Sequence, residues 1–430
     1  MQSCFCPALL ITAPASHHGK TMVTAALARF YTRQGLKVRV FKAGPDFLDP
    51  MIHEQASGQP VYQLDLWLAG EDECKRLLYE AAQTADLILI EGVMGLFDGK
   101  PSSADLAELF GVPVLAVIDA KGMAQTLGAV GLGLMYYRKT LNFFGVLANS
   151  IASPRHAEMV AQGIPPELKY WGGIMRSNEI SLPERHLGLV QAQEVPDLEA
   201  SLNAAADVIA LTDIRTLPQS VQFSPTQPEA LSPMLAGVKI GIARDAAFSF
   251  IYQVNLDLLE RLGAQLVFFS PLLDQTLPDI DSLYLPGGYP ELHLELLQAN
   301  LTMKASLQRH YAEKKPIYAE CGGMLYLMES LTDQHGKKAG MTGILPGHAV
   351  MQHRLQGLGY QTAAMPGGAI RSHTFHHSIV QAASKAAAYG ERLYNTSAGE
   401  PIFVLNRLVA SYLHCFFPSN PYAAAQLFKP

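Results

Sequence analysis

The sequence is short of cysteine, and its cysteines do not suggest a disulfide framework. Its 430 residues contain five of them: Cys4, Cys6, Cys74, Cys321 and Cys415. An odd and widely spaced set is not typical of a disulfide-stapled protein. Cys4 and Cys6 have C-x-C spacing, but no second cysteine pair completes a zinc site. We therefore expect neither a disulfide network nor a zinc centre.

Long hydrophobic runs and an excess of positive charge are also lacking. The longest weakly polar stretch, 122–137, is too short to cross a bilayer. The net charge is −6 and the pI about 6.2, whereas nucleic-acid and membrane-surface binding favour a basic face. The first residues do not form a signal-peptide pattern. We expect a cytoplasmic protein with no nucleic-acid and no membrane partner.

What is present is a large hydrophobic fraction, 49% of residues, in a chain long enough for two or three domains. In the first half, short apolar strands alternate with helical stretches, which predicts an α/β fold with a parallel sheet covered on both faces. A segment rich in Pro, Ser, Gln and Thr follows, and then a second α/β pattern begins. The predicted organisation is a first domain, 1–215, a linker, 216–236, and a second domain, 237–430.

A phosphate-binding loop is indicated by "ITAPASHHGKT", residues 11–21. Gly19, Lys20 and Thr21 stand where a predicted strand gives way to a helix, so backbone N–H groups, the lysine and the hydroxyl can meet phosphates and Mg²⁺. The usual first glycine of such loops is replaced by Pro14. The alternative interpretation is that Gly-Lys-Thr occurs at this helix start by chance.

Acidic residues at the ends of the next predicted strands favour a nucleotide-binding site. "FKAGPDFLDP" (41–50) carries Lys42, Asp46 and Asp49, and "IEGVMGLFDG" (90–99) carries Glu91 and Asp98. The carboxyl ends of parallel strands point into the ligand crevice of open α/β sheets. Oxygen ligands suit Mg²⁺, so Asp46 and Glu91 are candidate metal ligands with Thr21, while Asp49 could instead cap a helix. We expect ATP binding and phosphoryl transfer.

The second half contains a candidate nucleophile in "YAECGGMLYL", residues 318–327. Cys321 stands at a sharp strand-to-helix corner, where the Gly322 N–H can help to hold an oxyanion. A second donor is expected from Gly288 in the Gly287–Gly288 turn. The expected base is His414, which ends a strand-like run. Five competing histidines are expected to serve structure or substrate contact: His348, His353, His373, His376 and His377.

These motifs together resemble the cobalamin-pathway glutamine amidotransferases, and within them the cobyrinate a,c-diamide synthases. The likeness runs over nearly the whole chain. It implies a P-loop domain of the dethiobiotin synthetase type followed by a class I glutaminase domain. The motifs that carry it are "FKAGPDFLDPMIH" (41–53), "IEGVMGLFDG" (90–99), "LPERHLGL" (182–189), "ARDAAFSFIYQVNLDLL" (243–259), "LPGGYPELH" (285–293), "YAECGGMLYL" (318–327) and "ASYLH" (410–414).

The resemblance implies a ligase that couples glutamine hydrolysis to ATP cleavage. Cys321 would attack the glutamine amide with His414 as base, and the released ammonia would displace phosphate from an ATP-activated carboxylate of cobyrinate, at positions a and c. The implied ligands are ATP, Mg²⁺, L-glutamine and cobyrinate. Hydrogenobyrinate and nickel sirohydrochlorin are alternative substrates, and a ParA/MinD-like ATPase switch is an alternative function. The oligomeric state is open, a homodimer being one option.

Lys42 joins the loop residues as a candidate ATP contact, and several polar residues are candidate contacts for the polyanionic substrate or its activation. They are Asp49, Asp98, Arg185, His186 and Arg371.

The sequence departs from the family pattern at three places. His17 replaces a loop glycine, which makes the loop less tolerant of positive φ. Ser372 and Thr374 stand where the family commonly has Gly and Glu. Phe416 occupies the position at which most class I glutaminases carry the glutamate that orients the histidine, so the expectation is a Cys–His dyad.

Overall fold

The protein is described by a computed structural model covering residues 2–177, 179–180, 184–185, 188–226 and 231–430, with the backbone alone for 184–185 and 188–189. It divides into two compact units, Met1–Pro228 and Glu229–Pro430. Within the described ranges no helix is long and apolar enough to cross a membrane.

The first unit is built on a mainly parallel sheet in the order β3-β2-β4-β1-β5-β6-β7, with β10 antiparallel to the start of β1. The strands β2, β4 and β5 and residues 8–12 of β1 are almost wholly buried, as their apolar runs predict for a sheet covered on both faces. The strands are β1 (Cys4–Thr12), β2 (Val38–Ala43), β3 (Tyr62–Leu64), β4 (Leu87–Glu91), β5 (Val114–Asp119), β6 (Phe143–Ile151), β7 (Tyr170–Met175), β8 (Glu184–Arg185), β9 (Gly188–Leu189) and β10 (Ser220–Phe223).

Helices connect these parallel strands. The first, α1, packs with α2 and α7 over one core containing Val23, Leu27 and Leu202. The helices are α1 (Lys20–Arg33), α2 (Leu48–Ser57), α3 (Glu71–Ala82), α4 (Ser103–Phe110), α5 (Thr126–Tyr137), α6 (Pro154–Gln162) and α7 (Leu198–Ala210).

The second unit has a ten-stranded sheet in the order β12-β11-β13-β14-β23-β22-β21-β18-β19-β24 and a four-stranded sheet in the order β16-β15-β17-β20. Its strands are β11 (Lys239–Ala243), β12 (Gln265–Phe269), β13 (Ser282–Leu285), β14 (Ile317–Glu320), β15 (Met328–Thr332), β16 (Lys338–Gly340), β17 (Leu345–Met351), β18 (Gly357–Met365), β19 (Gly368–His376), β20 (Ser378–Ala382), β21 (Ala388–Arg392), β22 (Ala398–Leu405), β23 (Leu408–Ser411) and β24 (His414–Cys415). Its helices are α8 (Gln253–Arg261), α9 (Leu294–Ala299), α10 (Leu301–Ala312), α11 (Gly322–Leu327) and α12 (Pro421–Phe428).

The large sheet of the second unit curls back on itself. Strand β24 follows β23 after two residues, yet it pairs with β19 at the far end of the strand order. A two-residue connection spans only a few ångströms, so the sheet must curve until β19 lies near the carboxyl ends of β14 and β23. This curvature positions His414.

The structure differs from the sequence expectation within the predicted linker 216–236. Residues Ser220–Phe223 form β10, which pairs with Cys4–Pro7 of β1. The alternating burial of β10, with Val221 and Phe223 inward, is the period-2 pattern of a half-buried strand. The abundant Pro, Ser and Gln around these four residues concealed that pattern in the sequence.

Candidate active sites

The phosphate-loop motif lies between β1 and α1, as predicted. Gly19 has φ 89° immediately before the helix, and a Cβ there would lie 2.2 Å from Nδ2 of Asn149. His17 also adopts a left-handed conformation, with φ 64°. Histidine is among the residue types that tolerate this region better than most. The departure at His17 therefore keeps the turn that a glycine would make there.

His18 fixes the loop to the ends of two neighbouring strands. Its Nδ1 accepts a hydrogen bond of 2.8 Å from the backbone N–H of Asp119. Nδ2 of Asn149 donates to the carbonyl oxygen of His18 at 3.0 Å. Burial lowers the pKa of His18, which favours the neutral ring that can accept this bond. The sequence motif gave no signal for Asn149, which follows no recognised pattern.

The Lys20 side chain hydrogen-bonds both to the phosphate-binding loop and to the segment that follows β4. Its Nζ donates to the carbonyl oxygens of Ala15 at 3.1 Å and Met94 at 2.7 Å. The residue is 7% exposed, and burial lowers its pKa. Asp98, the other candidate in this region, accepts from the N–H of Gly95 at 3.0 Å and so shapes the segment that carries Met94.

Glu91 is the centre of a buried polar cluster at the end of β4. Thr21 donates its hydroxyl to Oε1 of Glu91 at 2.8 Å, Nζ of Lys42 lies 3.1 Å from the same oxygen, and Nε2 of His53 lies 2.5 Å from Oε2. Burial alone would raise the pKa of Glu91, but Lys42, His53 and Thr21 lower it to about 2. The carboxylate is therefore ionised. His53 is a cluster member that the sequence analysis did not single out.

Lys42 is a buried cation shared among carboxylates. Its Nζ lies 2.5 Å from Oδ2 of Asp49 and 3.6 Å from Oδ2 of Asp46. Although burial opposes it, Asp49 and Glu91 raise the pKa of Lys42. Asp49 lies within the first turn of α2 and is not its N-cap, whereas Oδ1 of Asp46 accepts from the N–H of Leu48 at 2.9 Å.

The predicted magnesium residues are brought together in part. The hydroxyl of Thr21 and the ionised carboxylate of Glu91 are in contact at the start of α1, and this pair of hard oxygen donors fits Mg²⁺ beside bound phosphates. Asp46 reaches the pair only through Lys42. Among the described residues, no group of three His, Cys, Asp or Glu side chains could hold a metal ion alone.

In the second unit, Cys321 occupies the predicted corner between β14 and α11. Its φ is 42° and its side chain is 7% exposed. The N–H of Cys321 donates to the carbonyl oxygen of Ser411 at 2.8 Å, and the carbonyl oxygen of Cys321 accepts from the N–H of Leu325 at 2.9 Å. Strained backbone of this kind is typical of a nucleophile held at a tight turn.

The Gly287–Gly288 turn packs against both the corner and the predicted base. A Cβ on Gly322 would lie 2.8 Å from the carbonyl oxygen of Gly288. A Cβ on Gly287 would lie 2.3 Å from Cε1 of His414. These close approaches require that Gly287 and Gly322 have no side chain, and they bring Gly288, Gly322 and His414 close together.

A buried glutamate that the sequence analysis did not single out accompanies His414. Oε2 of Glu320 lies 3.8 Å from Nδ1 of His414, and both residues are 2% exposed. Glu320 also accepts hydrogen bonds from the hydroxyls of Tyr284 at 2.8 Å and Tyr318 at 2.7 Å, and from the N–H of Cys415 at 2.9 Å. Its position directly before the nucleophile was the available sequence signal.

The expected dyad therefore has a carboxylate beside it, although not from position 416. Phe416 is buried and its ring packs at 5.5 Å on that of Tyr252. Glu320 reaches the histidine from β14 instead, because the curled sheet brings β24 alongside.

The other candidate histidines have defined partners. His373 stacks on His414 with ring centroids 5.1 Å apart, and its Nδ1 lies 2.8 Å from the hydroxyl of Tyr252. His376 stacks on Tyr412 and pairs with Glu400 at 3.3 Å. His348 contacts Ser330 at 2.9 Å, and the carbonyl oxygen of His377 accepts from the N–H of Gln352. The backbone of His353 hydrogen-bonds to the side chain of His377.

The remaining departures and substrate candidates are placed as follows. Ser372 donates its hydroxyl to the carbonyl oxygen of Gln361 at 2.6 Å, and Thr374 is buried in β19. Arg371 lies in the same strand, where its N–H donates to the Ser419 hydroxyl. Arg185 lies in β8, where only its backbone is described, and His186 lies outside the described residues.

Comparison with known protein families matches the two units to two different domain types. The model of the CobQ/CobB/MinD/ParA nucleotide binding domain matches residues 9–190. The model of the CobB/CobQ-like glutamine amidotransferase domain matches residues 239–422. The fold and these matches define a two-part glutamine amidotransferase with a nucleotide-binding domain.

Relatives that match over nearly the full length of the chain show the family within this class. A hydrogenobyrinate a,c-diamide synthase of Stutzerimonas stutzeri is 57% identical over 100% of both chains. One of Pseudomonas aeruginosa is 56% identical over 99% of this chain and 98% of its own. A cobyrinate a,c-diamide synthase of Herminiimonas arsenicoxydans is 48% identical over 98% of this chain and 96% of its own. The chain belongs to the a,c-diamide synthase family.

Proposed function

We propose that this protein uses glutamine and ATP to amidate the a and c carboxylates of a corrin-ring acid in cobalamin biosynthesis. The observation that carries the proposal is the 57% identity over the full length of a protein with that activity in its name. The geometry around Cys321, Glu91 and Thr21 supports the two half-reactions.

In the first half-reaction, the Cys321 sulfur attacks the side-chain amide carbon of glutamine. His414 takes the thiol proton and delivers it to the leaving ammonia, while the N–H groups of Gly322 and Gly288 hold the oxyanion. Water then hydrolyses the thioester to glutamate. Burial and the nearby Glu291 raise the pKa of the free thiol, so the proton acceptor is required for attack near neutral pH.

In the second half-reaction, ATP phosphorylates a carboxylate of the ring and ammonia displaces the phosphate. The N-terminus of α1 and Lys20 would hold the phosphates, and Lys42 keeps Glu91 ionised beside Thr21. Mg²⁺, held by Thr21 and Glu91, would neutralise phosphate charge. Activation is needed because a carboxylate at neutral pH is a poor electrophile.

We propose the metal-free ring, hydrogenobyrinate, as the substrate, with cobyrinate as the second candidate. The two relatives at 56% and 57% identity carry the first name, and the relative at 48% carries the second.

The test is to incubate the purified protein with ATP, Mg²⁺ and glutamine, adding hydrogenobyrinate, cobyrinate or nickel sirohydrochlorin in separate reactions, and to follow product mass. We expect two amides on hydrogenobyrinate. Diamide on cobyrinate alone would overturn the choice of ring. ATP hydrolysis with no amide on any ring would overturn the proposal and favour an ATPase switch.

A further inference from the structure

A buried carboxylate close to Cys321 raises the pKa of the thiol but has no assigned contact with substrate in the half-reactions above. Glu291 lies in the 3-10 turn Pro290–His293, which follows the Gly287–Gly288 turn, and it is 8% exposed. In the described ranges no basic side chain forms an ion pair with it, whereas the nearby Glu295 pairs with Lys337. A buried anion without a counter-ion is costly, and such groups cluster at functional sites.

The backbone places Glu291 next to the nucleophile. A Cβ on Gly322 would lie 2.9 Å from Cδ of Pro290, so the residue after Cys321 touches the residue before Glu291. The 3-10 turn also packs against α11, which Cys321 precedes. In agreement, the charge of Glu291 is, after burial, the main influence raising the pKa of the Cys321 thiol.

The charged groups that raise the pKa of the Cys321 thiol are all carboxylates. Besides Glu291, the charges of Glu320 and Glu400 act on Cys321. The ionisable group that acts on Glu291 from the β15–β16 turn is Asp333, which is also acidic. Of the elements packed on the 3-10 turn, α9 contributes the exposed Glu295 and α11 the neutral phenol of Tyr326. A positively charged group entering this place is therefore favoured.

We propose that the Glu291 carboxylate binds the α-ammonium group of the glutamine whose side-chain amide meets Cys321. The inference rests on the proposed glutaminase reaction. It gives the substrate a second effect, because its ammonium neutralises the anion that disfavours the thiolate. The thiol then becomes more easily ionised when glutamine is bound than when the site is empty.

The test compares glutamine with glutaramate, which is glutamine without the α-amino group. In the wild type we expect kcat/KM for glutaramate hydrolysis to be about 100-fold lower than for glutamine, because the buried carboxylate is left unpaired. In Glu291→Gln, the two substrates should differ by less than about 3-fold, as expected for coupled groups in a double-mutant cycle. The matched control Glu295→Gln should keep the wild-type ratio.

An equal loss on both substrates in Glu291→Gln would overturn the inference, because a structural defect or a role in proton transfer does not depend on the substrate ammonium. A second measurement needs no variant. Burial raises the pKa of Glu291 to about 7, so the wild-type preference for glutamine over glutaramate should fall about tenfold per pH unit below that value. A ratio that stays constant between pH 8 and pH 5 would overturn the inference. A wild type that hydrolyses no glutamine would overturn the proposed function itself.

Discussion

Oε2 of Glu320 lies 3.8 Å from Nδ1 of His414, and both residues are buried. The glutamate directly precedes the nucleophile in the chain, and two tyrosine hydroxyls and one backbone N–H fix its carboxylate. A carboxylate at this distance can orient the imidazole and stabilise its positive charge during thiol attack.

Replacing Glu320 by Gln should therefore lower kcat for glutamine hydrolysis by about 10- to 100-fold with little change in KM, since an orienting carboxylate is lost and the substrate contacts remain. Steady-state glutaminase kinetics measure this, with the exposed Glu260→Gln as control. A rise in KM with unchanged kcat would contradict the positioning role.

Removal of the thiol separates the two half-reactions. Cys321→Ala should abolish glutamine-dependent amidation while ammonium salts still support it, because the alanine cannot form a thioester. Product mass with glutamine or ammonium chloride as nitrogen source decides this, and Cys4→Ala in the first unit is the control. Loss of both activities would show that Cys321 is needed for the fold.

A methyl group at Gly287 should displace the base. The added Cβ would lie 2.3 Å from Cε1 of His414, a distance that forces the ring or the turn to move. We expect Gly287→Ala to lose at least about 100-fold of glutaminase kcat/KM, as misplacement of a catalytic group by about 1 Å does. Gly340→Ala is the control, because nothing lies closer than 4.0 Å to its added Cβ. Full glutaminase activity in Gly287→Ala would exclude the close approach of turn and ring.

The Glu91 cluster should make the stability of the first unit depend on pH. The pKa of Glu91 is lowered from 4.5 to about 2. The stabilisation that the ionised Glu91 contributes is therefore complete above pH 4.5 and is lost as the pH falls towards 2. The contribution is about 3 kcal/mol. Urea unfolding followed by tryptophan fluorescence reports on this unit alone, because both tryptophans, Trp67 and Trp171, lie in it. Glu91→Gln should flatten the decline between pH 5 and pH 3, whereas the exposed Glu80→Gln should not.

Much of the fold was accessible from sequence because buried parallel strands are continuous apolar runs. The predicted strands 143–151 and 37–44 correspond to β6 and β2. The short edge strand β3 and the half-buried β10 were not predicted, because three or four residues carry too little period-2 pattern among polar neighbours.

For the candidate sites, the positions of the glycines, Lys20 and Cys321 at strand-to-helix turns could be predicted, because each lies within one short contiguous motif. Asn149 and His53 could not, because their roles depend on contacts across the sheet, and for Glu320 the available signal was its position directly before Cys321. His53 meets Glu91 from a different element, 38 positions away in the chain. Sequence spacing carries no information on such a meeting until the strand order is known.

The strand β10 has a practical consequence for dissecting the protein. The first residues of β1, Cys4–Pro7, find a hydrogen-bonding partner in Ser220–Phe223. A nucleotide-binding fragment ending at residue 215 would leave that stretch, which contains the buried Cys6, as an unprotected edge open to pairing with other chains. A fragment intended to stay monomeric should run past Phe223.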